Sequence, residues 1–145
     1  MTLKNLLGIS LDTVTANRAQ VAKLLAAAER NIADAQLKGL SVENRFDASY
    51  KAIMQLAMVA LNANGFRTLT SKPGHHQTAI QTLPLSVGLA HSTTIVLDAL
   101  RKQRNQSDYS GDLISEAEAT ECLASAINLL AHVRAWLAAN RPDLI

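Results

Sequence analysis

The sequence has few of the residues that staple a chain, bend it or mark it for a familiar chemistry. Cys122 is its one cysteine, so no disulfide can close within the chain. Set among apolar residues of a helical stretch, Cys122 reads as a small buried hydrophobe rather than a reactive thiol. Aromatic residues are 3% of the total, which leaves the core to Leu, Ala, Ile and Val. Strong net charge is also absent: 14 basic and 12 acidic residues leave a formal +2. That excludes a broad positive field of the kind that grips nucleic acid unaided, and leaves room only for a local basic site. No apolar run approaches the roughly 20 residues of a membrane span. The signal-like start is broken by Asn5 and Gly8 and followed by Asp12. A soluble, cytoplasmic protein with no membrane partner is expected. There is no Gly-rich phosphate loop, no Gly-x-Ser-x-Gly, no zinc spacing and no paired Glu-x-x-His. Neither a metal nor a cofactor is expected.

What the sequence does have is helical periodicity. With 145 residues, 48% of them apolar, the chain is long enough to bury one core, and residues 1–145 read as a single domain. Val14, Val21, Leu24, Leu25, Ala28, Ile32 and Ala35 predict a helix over 13–38, capped by Asp12 or Thr13 and stopped near Gly39. Phe46, Tyr50, Ile53, Ala57, Ala60 and Leu61 predict a second over 42–63, with Ser41 as its cap. A short helix over 75–83 is bounded by Pro84 and Gly88. A fourth covers 89–105. The last covers 116–139, where Ser115 and Glu118 have capping-box spacing. No strand-like alternation is visible. The expected fold is all-α, an up-and-down bundle of four long helices and one short one. Leu3, Leu6 and Leu7 make residues 1–12 a short amphipathic arm, suited either to covering the bundle or to docking on a partner.

Candidate chemistry gathers at the end of the fourth helix. Arg101 lies four residues beyond Leu97, Arg104 four beyond Leu100, and Asn105 four beyond Arg101, so an apolar seam runs into arginine and amide groups. An arginine fork on a packed helix suits phosphate. Asn105 can orient the arginine or the ligand, Asp108 at the helix end is a further ligand-binding candidate, and Tyr109 can donate to a phosphate oxygen or stack on a base. Asp47 can face the arginines, and Tyr50 reads as a core residue whose hydroxyl reaches a partner. The plain alternative pairs Arg104 with Asp108 at i,i+4 and Arg101 with Asp98 at i,i+3. His75 and His76 begin the third helix, where an imidazole can cap backbone amides or meet an anion. Adjacent helical residues diverge by about 100°, which disfavours one metal between them.

The order of these segments resembles the HEPN family of helical bundles. The matching pieces are Arg45-Phe46-Asp47-Ala48-Ser49-Tyr50-Lys51-Ala52, Gly74-His75-His76-Gln77, Asp98-Ala99-Leu100-Arg101-Lys102-Gln103-Arg104-Asn105, Asp108-Tyr109 and Ser115-Glu116-Ala117-Glu118-Ala119. The likeness spans about residues 19–137. In that family an arginine and a following polar residue precede a histidine by four to six positions. Active members cut RNA without metal, as dimers that bring two motifs together. The resemblance aligns Arg104 with the arginine and Asn105 with the polar residue, and places Tyr109 where histidine is expected. Histidine exchanges protons near neutral pH and tyrosine ordinarily does not, so the resemblance implies binding more than cleavage. If there is catalysis, Arg104 and Tyr109 are the residues it implies.

Three functions stay open at this point. One is a HEPN-like homodimer binding nucleotide, RNA or a partner protein, paired with a nucleotidyltransferase in a toxin–antitoxin system, with Tyr109 a conceivable target of nucleotide transfer. The second is a metal-independent ribonuclease. The third is a non-catalytic helical interaction module.

Overall fold

The computed structural model describes residues 1–145. The chain starts with a 3-10 turn (Leu3–Leu6) and a three-residue strand β1 (Leu11–Thr13). Helix α1 (Arg18–Ala35) turns Val21, Leu25, Ala28, Ile32 and Ala35 inward, the three- and four-residue spacing of one helical face. Helix α2 (Val42–Ala63) starts at Ser41, whose side chain accepts from the Asn44 N–H at 3.2 Å. Strand β2 (Phe66–Thr68), α3 (His75–Gln81), α4 (Leu83–Val87) and α5 (His91–Ser110) follow. Helix α6 (Glu116–Asn140) opens with the full capping box. Ser115 accepts from Glu118 N–H at 3.1 Å, and Glu118 accepts from Ser115 N–H at 3.0 Å. A last 3-10 turn (Pro142–Leu144) tucks Leu144 into the core.

The fold is an all-α bundle, and α2 is its axis. It packs along α1 on one side and α6 on the other, while α5 leans chiefly on α3. Phe46, Ile53, Leu56, Leu61, Val21 and Leu137 fill the centre without solvent contact. Cys122 is buried there too, and burial pushes its thiol up to about 12. By length and apolar composition α6 alone is enough to cross a membrane, yet Ala119, Cys122, Ala126, Leu129, Val133 and Leu137 form a face sunk into the core.

Three expectations are corrected. The first helix begins at Arg18 rather than Thr13, and its cap is Asn17, which accepts from the Gln20 N–H at 3.0 Å. Asp12 and Thr13 instead belong to β1, which pairs antiparallel with β2 through Leu11↔Thr68, Asp12↔Arg67 and Thr13↔Phe66. Strands of three residues are too short to show alternation. The pairing is reinforced by Arg67 donating to Asp12 at 3.0 Å. The amino-terminal arm therefore covers the bundle, with Leu3 and Leu11 in the core. The third helix stops at Gln81, and Pro84 stands in the first turn of α4, where its missing N–H has no helical partner to lose. Finally, α5 continues past Asn105 to Ser110, so Asp108 and Tyr109 are helical. Gly111, at φ +72, ends it in the left-handed region.

Candidate functional site

Helix α5 buries only Thr94, Leu97 and Leu100. Arg101 and Arg104 continue the same edge, and the packing beneath holds both guanidinium groups against the bundle. The Arg101 side chain is 12% exposed, and its Nε donates to Asp98 Oδ1 at 2.8 Å. Asp98 also receives Gln81 Nε2 at 3.4 Å and lies 3.6 Å from Lys102 Nζ. Burial pushes the Asp98 carboxyl up, but the hydrogen bond and charge of Arg101, with Gln81 and Lys102, outweigh it and hold the carboxyl below its usual range.

Arg104 stacks its guanidinium 5.1 Å from the centroid of the Tyr50 ring, within cation–π range. Its Nε is sealed from solvent and has no hydrogen-bond partner. Asp47 Oδ1, at 3.7 Å, is too far to accept from it. A buried unpaired donor is unfavourable and calls for an acceptor. Asp47 is itself raised above the ordinary carboxylate range, by burial first, with Asp108 and Glu43 adding to the rise against Arg104 and Lys51. Glu43, Asp47, Arg104, Ser107 and Asp108 share a cleft of about 140 Å³.

On the other side of Arg104 lies an aromatic pair supplied by other elements. Tyr50, from α2, is 2% exposed, and its hydroxyl is 3.4 Å from His76 Nδ1 on α3. His75 meets the His76 ring edge-on, with centroids 4.6 Å apart. Burial raises the Tyr50 hydroxyl to about 12. Burial also lowers His76, helped by the charges of His75, Arg104 and Arg101. At neutral pH Tyr50 therefore keeps its proton and His76 carries none extra. The hydroxyl and Nδ1 share one hydrogen bond, and the hydroxyl can serve as either its donor or its acceptor.

The structure thus brings together Arg101, Arg104 and Asp47 from the sequence-derived set, with Asp108 at the rim of the cleft. Of the two plain pairings, Arg101 with Asp98 forms, while Arg104 takes Asp47 rather than Asp108. Asn105 and Tyr109 are not brought in. Each sits one residue further round the helix than Arg104 and Asp108, and Tyr109 is 92% exposed with no hydrogen bond from its hydroxyl. Tyr50 behaves as its place on the apolar stripe predicts, with a buried ring and a hydroxyl that finds a partner. His76 is the member that periodicity could not place, because its neighbours lie on α2 and α5. No three His, Cys, Asp or Glu side chains gather closely enough to hold a metal ion.

The chain matches no family model, no curated protein and no solved structure. What the site can do follows from its donors. The terminal nitrogens of Arg101 and Arg104 make no hydrogen bond within the chain. Two adjacent planar forks with free donors, half withdrawn from water, match an oxyanion such as phosphate or carboxylate.

Proposed function

We propose that this chain is a HEPN-like cytoplasmic binding protein that holds the phosphate of a nucleotide or RNA at Arg101 and Arg104 without cutting it. The observation that carries this reading is the pair of partly buried guanidinium groups whose terminal nitrogens have no partner in the chain. Against cleavage stands Tyr109, which projects into solvent on another face of α5 instead of facing Arg104. The reading includes a two-fold homodimer, supported by the exposed Ile95 and Val96 along α5. A nucleotidyltransferase partner of the toxin–antitoxin kind rests on the family resemblance alone, and the exposed Tyr109 hydroxyl is accessible to such an enzyme.

The test is fluorescence anisotropy with labelled RNA and with a labelled adenine nucleotide, on wild type and Arg104→Ala. Wild type binds at least one, and the variant loses about tenfold or more, the worth of a charge-assisted hydrogen bond to phosphate. Equal binding by the two proteins removes Arg104 from the site. The same samples, incubated with RNA in chelator, examine the ribonuclease alternative, which requires cleavage that Arg104→Ala abolishes. A second reading, a structural interaction module, is favoured by the carboxylates around Arg104. It predicts that Arg104→Ala shifts the melting temperature and leaves all binding unchanged.

A further inference from the structure

The fixed charges around Arg104 do not by themselves favour an anion. Arg101, Lys102 and Arg104 are matched by Asp98 and Asp47, and Glu43 and Asp108 share the cleft beside Arg104. A doubly charged phosphate docking on the two forks would find the donors it needs and no surplus of positive charge. One side chain in the cluster can supply that charge near neutral pH. His76 lies against Tyr50 from α2, feels Arg101 and Arg104 from α5, and touches His75 on its own helix, with no carboxylate against its ring.

Resting on the phosphate-binding reading above, we propose that His76 is a ligand-binding residue of this site, taking up one proton as a terminal phosphate docks on Arg101 and Arg104. Tyr50 makes the change possible without loss of a hydrogen bond. Its hydroxyl can rotate, so it pairs with Nδ1 whether or not that nitrogen carries a hydrogen. In the protonated ring both nitrogens carry hydrogens, so Nδ1 donates to Tyr50 while Nε2 donates to the ligand. The proton comes from solvent, no covalent bond is made or broken, and the product is an imidazolium–phosphate pair. In the free protein, burial and the neighbouring arginines hold that proton off, so protonation waits for the anion. A phosphomonoester, whose second ionisation falls near about 6, gains more from this extra charge than an internal phosphodiester, which carries a single charge. The site should therefore prefer the terminal phosphate of a nucleotide or a 5′-phosphorylated RNA end to the body of an RNA strand.

The experiment follows the histidine ring resonances by NMR during titration with sulfate, a dianion that does not itself titrate across about pH 5.5 to 7.5. Wild type, His76→Gln and Arg104→Ala are compared, and 5′-phosphorylated and 5′-hydroxyl RNA oligomers of one sequence distinguish the two phosphate sources. The expected result is sulfate binding about tenfold tighter at the acid end than at the alkaline end, with the His76 titration midpoint raised by about one unit under saturating sulfate. His76→Gln should bind weakly with little pH dependence, and the 5′-phosphorylated oligomer should outbind its 5′-hydroxyl counterpart in acid. Sulfate binding that leaves the His76 resonance unmoved, or moves His75 alone, overturns the proposal while the phosphate reading stands. Equal affinity for the two oligomers overturns the preference for a terminal phosphate. Absence of binding by wild type to sulfate and to both oligomers at every pH removes the phosphate reading, and this proposal with it. Because the His76 midpoint is read on wild type, the test survives a variant that fails to fold.

Discussion

Helices α2 and α5 are nearly equal in length, 22 and 20 residues, and opposite in what fixes them. Helix α2 buries twelve residues from Phe46 to Ala63, whereas α5 buries Thr94, Leu97 and Leu100. The first is held by side-chain volume between α1 and α6. The second is held by a short apolar seam, and most of its surface is free to carry polar groups. The same bundle therefore separates stability from chemistry: changes on the buried face of α2 should unfold the protein, and changes in the second half of α5 should alter what it binds.

Phe46→Ala should have the largest effect, because Phe46 is fully buried beside α6. A loss of about 3–5 kcal/mol in unfolding free energy is expected in urea titrations. On α5, Leu97→Ala should cost about 2–3 kcal/mol, toward the lower end for core leucines, since fewer neighbours enclose that helix. If Leu97→Ala proves the more damaging of the two, α5 belongs to the core and the contrast fails. Gly111→Ala sharpens the comparison at the end of α5. An added Cβ meets nothing within 4 Å, so the expected loss of about 1–2 kcal/mol comes from the positive φ of +72 alone. A loss near zero in thermal denaturation would mean that the helix end rearranges freely.

Asp47→Asn probes the loose pair with Arg104. Burial raises the folded-state value of Asp47, so its stabilising contribution is present in acid and is lost as pH rises through that raised value. The amide variant should accordingly be as stable as wild type or slightly more so at neutral pH, with the difference shrinking toward about pH 4. It should also bind anions more tightly, having lost a competing carboxylate. A marked fall in melting temperature at neutral pH would show instead that the ion pair holds α5 in place. Tyr109→Phe should change stability least, within about 0.5 kcal/mol, because the ring is exposed and its hydroxyl has no partner.

Much of α2 and α6 was legible in the sequence because long apolar stripes and the Ser41 and Ser115 caps are local signals. The β1–β2 pairing was not, since its Asp12–Arg67 contact joins residues far apart in sequence within strands of three. The end of α5 was also hidden, because Gln106, Ser107 and Asp108 continue the helix without any apolar period. At the site, Arg101 and Arg104 could be aligned from their offsets to Leu97 and Leu100. Asn105 and Tyr109 are neighbours of the arginine and aspartate in sequence, but each residue turns the helix by about 100°, so sequence adjacency carried them off the face. Tyr50 and His76 meet where α3, which opens at Gly74 with φ +82, packs on α2. No periodicity contains that.

If the free forks of Arg101 and Arg104 hold a phosphate, their geometry and not their charge alone must decide the affinity. Isothermal titration of a 5′-phosphorylated RNA oligomer near pH 6 into wild type and the charge-conserving double variant Arg101→Lys/Arg104→Lys tests it most directly. The predicted result is a loss of about tenfold or more in affinity by a variant that still melts cooperatively, since lysine keeps the charge and lacks the planar pair of donors. Equal affinity in the two proteins, or no binding by either, would contradict it.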